Sequence, residues 1–558
     1  MTSAETALPK LVRQVAHRTR ARAWENLLHL PKATTPDLEV RREISVLMPD
    51  GITLLADLYR PQGAGPMPTV LVRTPYGRGG LLAAVNSRLL AERGLQVLLQ
   101  SCRGTFGSEG KLDPFRERDD GLATLEWIRH QPWHDGQLGM LGASYLGIAT
   151  WAVAADAGPD LVAIVVATSS SDPRGQSYHG DSFSLELALG WAYIAAVQEM
   201  RWGQLRQLLM RPRLRRALDT WPLALADRKL LGRVVPYYQE WLTHSDPDDP
   251  YWDERVFFHA IGNVEAAVDL VTGWHDIFLP GQLCDYRRLR EAGRTVHLTI
   301  GPWSHFSVGL TGEVIRRAIQ VLRGHLVDGT GMPASSAVRL YVTGADDWRG
   351  FSTWPPLGTV SQRWYLQDEF GLSTADPHHS KPDIYRYDPR NPTPALGGPG
   401  LGKPRRDNAQ LEARRDVLTY TSAPLDRPLE VIGPVSAQVY LASSRSYTDV
   451  FVRLCDVDQR GVSTNICDGL QRVSADRPSS AVDEVDRIDV ELWPTAHRFA
   501  VGHRVRVQIS SGAHPRFARN PGTGMGLDEH SELVSADQQI FHDPEHPSAI
   551  LLPIDEQK

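Results

Sequence analysis

At 558 residues the chain exceeds the roughly 250–300 residues that one hydrophobic core fills, so two or three domains are expected. Hydrophobic residues make up 42% and charged residues 23%, a balance that excludes an intrinsically disordered chain. A formal net charge of -6, with no long basic run, argues against a nucleic-acid partner.

The N-terminus, MTSAETALPKLVRQVAHRTRARAWENLLHL, lacks the continuous apolar core of a signal peptide and reads as a solvated helical extension over residues 1–36. No run of 18 or more apolar residues follows, so neither secretion nor membrane spanning is expected. Cys102, Cys284, Cys455 and Cys467 form no CxxC or metal-ligand spacing, which fits a reduced, cytoplasmic protein. Next, VRREISVLMPDGITLLADLYRP carries two β-rich stretches around Pro49-Asp50-Gly51 and predicts a hairpin.

Short apolar, β-branched runs then recur: PTVLVRTPYG, GLQVLLQSCRG, GQLGMLGASYLG, LVAIVVATSSSD, AVDLVTGWHD and RTVHLTIGPWSH. Runs of this kind suit strands buried on both faces. Between them lies ERDDGLATLEWIRHQ, a helical pattern with Leu122, Leu125, Trp127 and Ile128 near one face and acidic residues in its first turn. Strands alternating with helices imply a mostly parallel sheet, here over residues 37–171 and 264–336. The rhythm stops over residues 172–263, a stretch rich in Leu, Trp, Tyr and Arg that reads as an inserted helical cap. Over residues 337–558 short β-type runs, beginning with VRLYVTG, are separated by Pro, Gly and Asp-rich turns and predict a β-sandwich or jelly roll. Within it the segment from Pro389 to Pro404, with NPTPALGGPGLGKP, holds too much Pro and Gly for helix or strand and predicts a long loop.

The chemistry centres on GQLGMLGASYLGIATWAVAA, an apolar strand entering Gly142-Ala143-Ser144-Tyr145-Leu146-Gly147 and then a helix. A serine on a tight strand-to-helix turn projects its hydroxyl from the sheet. The second glycine falls one residue later than in G-x-S-x-G, and the motif alone equally suits an N-cap serine. A serine hydroxyl needs a histidine to take its proton, and that imidazole needs a carboxylate to hold its tautomer. The run AVDLVTGWHDIF brings Asp276 to a strand end and TVHLTIGPWSHF does the same for His305. The order Ser, Asp, His is that of the α/β-hydrolase arrangement, so Ser144, Asp276 and His305 are the candidate triad. His275, beside the acid, reads as structural. No metal and no cofactor are called for.

The ordered segments RTPYGRG at 73–79, SCRGTFGSEG at 101–110, DDGLATLEWIRHQPWHDGQLGMLGASYLG at 119–147, DPDDPYWDE at 246–254, GWHD at 273–276 and GPWSH at 301–305 resemble the cocaine esterase and X-prolyl dipeptidyl-peptidase family, the CocE/NonD hydrolases. The resemblance runs from about residue 40 to the C-terminus. It implies an α/β-hydrolase domain, a helical cap inserted after the nucleophile and a C-terminal jelly roll. It also implies an oxyanion hole made by the Tyr76 hydroxyl and the Tyr145 backbone N–H, with Trp191 and Phe278 lining the acyl pocket. Arg103-Gly104 and the Asp113 to Asp120 region would organise a loop and a helix start. The α-amino acid ester hydrolases of this family grip a substrate ammonium with carboxylates two and three residues past the triad acid; here Phe278 and Leu279 stand there.

The resulting expectation is a serine hydrolase that cleaves a small-molecule carboxylic ester, or an amide, with an uncharged acyl group. Acyl transfer to a non-water acceptor through the same triad, X-prolyl or aminoacyl peptidase activity, and a carbohydrate-binding module built on the jelly roll are the alternatives. No nucleic-acid or membrane partner is expected, and a homo-oligomer is left open.

Overall fold

Alternating apolar residues on either side of Pro49-Asp50-Gly51 produce the expected hairpin. Strands β1 (Leu38–Leu47) and β2 (Thr53–Pro61) pair antiparallel, with Leu47 opposite Thr53. The structure, a computed structural model, describes residues 24–200, 211–332, 336–400, 402–474, 484–529 and 532–555. Of the extension expected over 1–36, only the part from Trp24 onward lies within them; residues 24–28 are helical and bury Leu28.

The apolar runs become β3 (Met67–Thr74), β4 (Gln96–Ser101), β5 (His134–Ala143) and β6 (Leu161–Ala167). A two-residue ribbon, β7 (Tyr178–His179) with β8 (Ser182–Phe183), follows, then β9 (Ala267–His275) and β10 (Val296–Ser304). In the sheet the order is β1-β2-β4-β3-β5-β6-β9-β10, parallel from β4 to β10. Every residue of β4 and of β9 is buried, as continuous apolar runs in a two-sided parallel sheet require. β6 and β9 are hydrogen-bonded neighbours although about a hundred residues separate them in sequence, so the helices between them are an insertion beside the sheet. These include Leu185–Val197, Arg211–Leu218 and Pro236–Thr243, which pack around their own apolar cluster.

The helix Arg118–Arg129 buries Gly121, Thr124, Leu125 and Ile128, while Leu122 and Trp127, expected on its apolar face, are half-buried at its flanks. The reason is proximity: a Cβ on Gly121 would lie 2.4 Å from Val153, in the helix Tyr145–Ala154, so small residues occupy the line of closest approach.

One strand assignment differs from the sequence reading. Val338–Val342 (β11), expected to open the C-terminal β-region, instead pairs parallel to β10, and Asp347–Phe351 (β12) pairs antiparallel to β11. The helix Val308–Leu326 lies between β10 and β11 and supplies the crossover that parallel neighbours need. The strand-helix alternation therefore runs one unit further than composition suggested. From Thr359 onward the described strands join a 13-stranded sheet, whose first strand, Thr359–Gln367, pairs with the last, Ala549–Asp555. The protein is thus an α/β domain followed by an all-β domain. No helix among the described residues is long and apolar enough to cross a membrane.

The helix Val308–Leu326 packs its apolar face on β5, β6 and β9, and carries Arg317 into a bidentate pair with Asp269 of β9 at 2.6 and 2.8 Å. Asp269 is fully buried. Removing one member of such a pair strands the other charge in a low-dielectric interior. Arg317→Met is therefore expected to lower the unfolding free energy by about 3–5 kcal/mol, read from urea denaturation.

Candidate active site

The turn after β5 places Ser144 at φ 57° and ψ −128°, a conformation that an L-residue adopts only when its surroundings enforce it. Two glycines allow the enforcement. A Cβ on Gly142 would lie 2.2 Å from the Leu146 carbonyl oxygen, and one on Gly147 would lie 2.4 Å from the Ser169 Cβ. The later glycine of the motif thus serves the contact between the new helix and the end of β6. The Ser144 N–H donates to the Ala167 carbonyl at 3.0 Å, tying the turn to that strand.

Three parallel strands end on the same edge, and their termini supply the three candidate residues. Asp276 follows β9 and is fully buried; its Oδ1 accepts from the Phe278 N–H at 2.8 Å. Its Oδ2 lies 2.8 Å from His305 Nδ1, and His305 Nε2 lies 3.0 Å from Ser144 Oγ. The structure therefore brings Ser144, His305 and Asp276 into one hydrogen-bonded run. Glycines of the flanking motifs make room for Trp303, two residues before His305: Gly273 and Gly301 are opposite each other in the β9–β10 pairing, and a Cβ on either would meet Trp303 at 2.2 or 2.5 Å. The all-β domain reaches the same turn, where Trp493 Nε1 donates to the Asp276 carbonyl at 3.1 Å.

Tyr145, the first residue of the helix after the turn, has a backbone N–H with no partner within that helix. Its buried side chain is locked in place: the hydroxyl donates to Glu117 at 2.7 Å, and Glu117 in turn pairs at 2.9 Å with the fully buried Arg73. Its ring stacks on Trp191 at 5.5 Å. Tyr76 follows β3, and its hydroxyl accepts from Trp191 Nε1 at 2.9 Å. Burial pushes the Tyr76 hydroxyl up to about 12, against a smaller lowering by the Trp191 bond. Phe278 is buried, with its ring 5.6 Å from the His305 imidazole.

Ser144, His305, Tyr76, Tyr145, Trp191 and Phe278 all line one cavity of about 460 Å³. Phe115, Trp241, Phe306, Leu310 and Val314 also line it; sequence reading singled out none of the last four, and it gave the Asp113 to Asp120 region that holds Phe115 a role in organising a loop and a helix start instead. Phe115 and Trp241 stack at 5.3 Å across the cap boundary, a contact between distant segments that carries no local signature. Among the described residues, no Asp, Glu, Lys or Arg lines this cavity. A smaller cavity of about 280 Å³ adjoins it through Gln176, Ser184, Leu187 and Ile277, and there Asp172, Glu186, Glu491 and Arg516 bring charge to the wall. His275 lies outside both; burial holds its imidazole down to about 4, so it stays neutral.

Residues 50–307 match the X-Pro dipeptidyl-peptidase (S15 family), and residues 330–551 match the X-Pro dipeptidyl-peptidase C-terminal non-catalytic domain, which takes β11 and β12 with the all-β region. The chain is 31% identical to the cocaine esterase of Rhodococcus sp. (strain MB1 Bresler), an alignment covering 92% of this chain and 98% of that protein. Among solved structures, an aminopeptidase from a marine sediment Thaumarchaeota archaeon superposes with a TM-score of 0.79 at 23% identity, covering 94% of this chain and 98% of the other. An α-amino acid ester hydrolase superposes with a TM-score of 0.78 at 22% identity, with the same coverage.

The geometry of the turn makes a direct expectation about Gly142. Gly142→Ala forces a Cβ against backbone that has nowhere to move, so the variant should melt lower than the parent and lose turnover. Gly65→Ala, where a Cβ meets nothing within 4 Å, is the control and should match the parent in both thermal melting and activity.

Proposed function

This chain belongs to the CocE/NonD hydrolase family, and from that membership we propose that it cleaves a carboxylic ester with an uncharged acyl group through an acyl-serine intermediate. At the level the family establishes, it is a serine hydrolase. The finer reading rests on one observation: the hydrogen-bonded run from Asp276 through His305 to Ser144 opens on a cavity whose described wall carries no charged side chain.

In this reading Ser144 Oγ attacks the carbonyl carbon while its proton passes to His305 Nε2. Asp276, bonded to Nδ1, holds the tautomer that leaves Nε2 free to accept, and stabilises the imidazolium that forms. Negative charge collects on the carbonyl oxygen, where the Tyr145 N–H and the Tyr76 O–H are the proposed donors. As the tetrahedral species collapses, the carbon–oxygen bond to the alcohol breaks and His305 returns its proton to that oxygen. Water then attacks the acyl-serine with His305 again as base, releasing the carboxylic acid and restoring Ser144.

Trp191 and Phe278 are the proposed acyl contacts. Phe278 and Leu279, both buried, leave no carboxylate at the positions where family members grip an ammonium, which favours an ester over a substrate with a free amino terminus. An amide is the secondary choice. The four unpaired cysteines support a cytoplasmic setting.

The test is kinetic. Ser144→Ala should reduce hydrolysis of an activated ester to background with an unchanged melting temperature; turnover comparable to the parent's would sink the assignment. Asp276→Asn should keep the fold and lower kcat by about 10⁴, since the amide favours the wrong imidazole tautomer. Tyr76→Phe keeps the ring but removes one transition-state hydrogen bond, so kcat should fall by an amount equivalent to about 2.7–4 kcal/mol.

A further inference from the structure

The cap helix Leu185–Val197, with Gln198 capping its C-terminus, reaches the strand end that carries Tyr76 at two consecutive residues. Trp191 Nε1 donates to the Tyr76 hydroxyl oxygen at 2.9 Å, and Gln198 Nε2 donates to the Pro75 carbonyl at 2.8 Å. Positions 191 and 198 are about two helical turns apart and therefore share a face, so one side of one helix holds both groups.

The direction of the first bond is fixed by chemistry. An indole nitrogen only donates, so the Tyr76 oxygen accepts and its own hydrogen is left for another acceptor. Among the described residues that hydrogen has no acceptor, and half-buried Tyr76 lines a cavity whose described wall is mostly apolar. A substrate carbonyl entering that cavity would supply the missing acceptor. The backbone beside it is held as well: the Tyr76 N–H donates to Thr74 Oγ1 at 3.1 Å, and the Thr74 carbonyl accepts from the Cys102 N–H at 2.9 Å.

We propose that Trp191 and Gln198 are positioning residues for the oxyanion hole: the cap helix holds the Tyr76 hydroxyl with its hydrogen aimed at the substrate oxygen that becomes negative. This rests on the reading of Tyr76 as an oxyanion donor. A donor that is preorganised needs no reorientation when charge develops, and a hydroxyl that already accepts one hydrogen bond is polarised to donate the next more strongly. No proton is transferred in this step; Tyr76 keeps its hydrogen throughout. Because Trp191 also walls the cavity, an acyl group seated against it presses on the residue that orients the donor. The cap then acts on turnover as well as on binding.

The experiment is a pair of double-mutant cycles on the full chain. Trp191→Phe removes the indole N–H and keeps an aromatic ring; Gln198→Leu removes the second bond without touching the cavity wall. Each is made in the parent and in the Tyr76→Phe background, and kcat and KM are measured with one activated ester. Each substitution is expected to lower kcat in the parent by roughly tenfold, within the span of coupling between contacting residues, and to change kcat less than about twofold once the Tyr76 hydroxyl is gone. Gln198→Leu should leave KM unchanged. Equal losses of kcat in both backgrounds, or full kcat in Trp191→Phe and Gln198→Leu, would overturn the positioning role while leaving Tyr76 as a donor. Full kcat in Tyr76→Phe alone would instead remove the oxyanion reading, and the positioning role with it.

Discussion

The strained turn at Ser144 is the constraint on which the rest of the site depends. A residue held at φ 57° and ψ −128° costs of order 1–3 kcal/mol, and the cost is sustained by close packing that the sequence must permit. Gly142 and Gly147 permit it on either side, because any side chain there would collide with the Leu146 carbonyl or with Ser169. The same turn sets the Ser144 hydroxyl against His305 and starts a helix whose first N–H, on Tyr145, has no partner within that helix. Below, the buried chain from Arg73 through Glu117 to the Tyr145 hydroxyl clamps the helix start against β3. The turn is therefore rigid for reasons that lie in the α/β core.

Around that fixed point three parts of the chain converge. The parallel sheet delivers Asp276 and His305 from the ends of β9 and β10. The cap contributes Trp191 and Trp241 to the cavity wall, and the all-β domain steadies the acid turn through Trp493. Charge is partitioned between the two adjoining cavities: none on the described wall beside Ser144, and Asp172, Glu186, Glu491 and Arg516 around the smaller one. An ion buried in the larger cavity would meet no charged partner among the described residues, which is the physical basis for proposing an uncharged acyl group.

Much of this was legible in the sequence because strand ends announce themselves. An apolar run that stops at Gly-Trp-His-Asp or Gly-Pro-Trp-Ser-His leaves its polar residues at the edge of a sheet, and the hairpin at Pro49-Asp50-Gly51 is equally local. What was not legible depends on contacts between distant segments. β11 alternates buried and half-buried residues like a sandwich strand, and only its register against β10 puts it in the first sheet. The buried face of Arg118–Arg129 takes in Gly121, where another helix approaches too closely for a side chain, and Thr124, whose hydroxyl lies 3.0 Å from Gln100 of β4. Trp241 and Gln198 have no motif around them, and Phe115 lies in the Asp113 to Asp120 region, for which the resemblance implied only a structural role; their place at the site comes from how the cap meets the α/β domain.

The central claim is that Ser144 carries the acyl group during turnover. Its most direct test is mass spectrometry of the intact protein quenched early in reaction with a slowly deacylating ester, followed by peptide mapping. The account predicts a mass increase equal to one acyl group, localised to the peptide containing Ser144 and absent from Ser144→Ala. Steady turnover with no adduct under conditions where deacylation is slow, or an adduct on another residue, would contradict it.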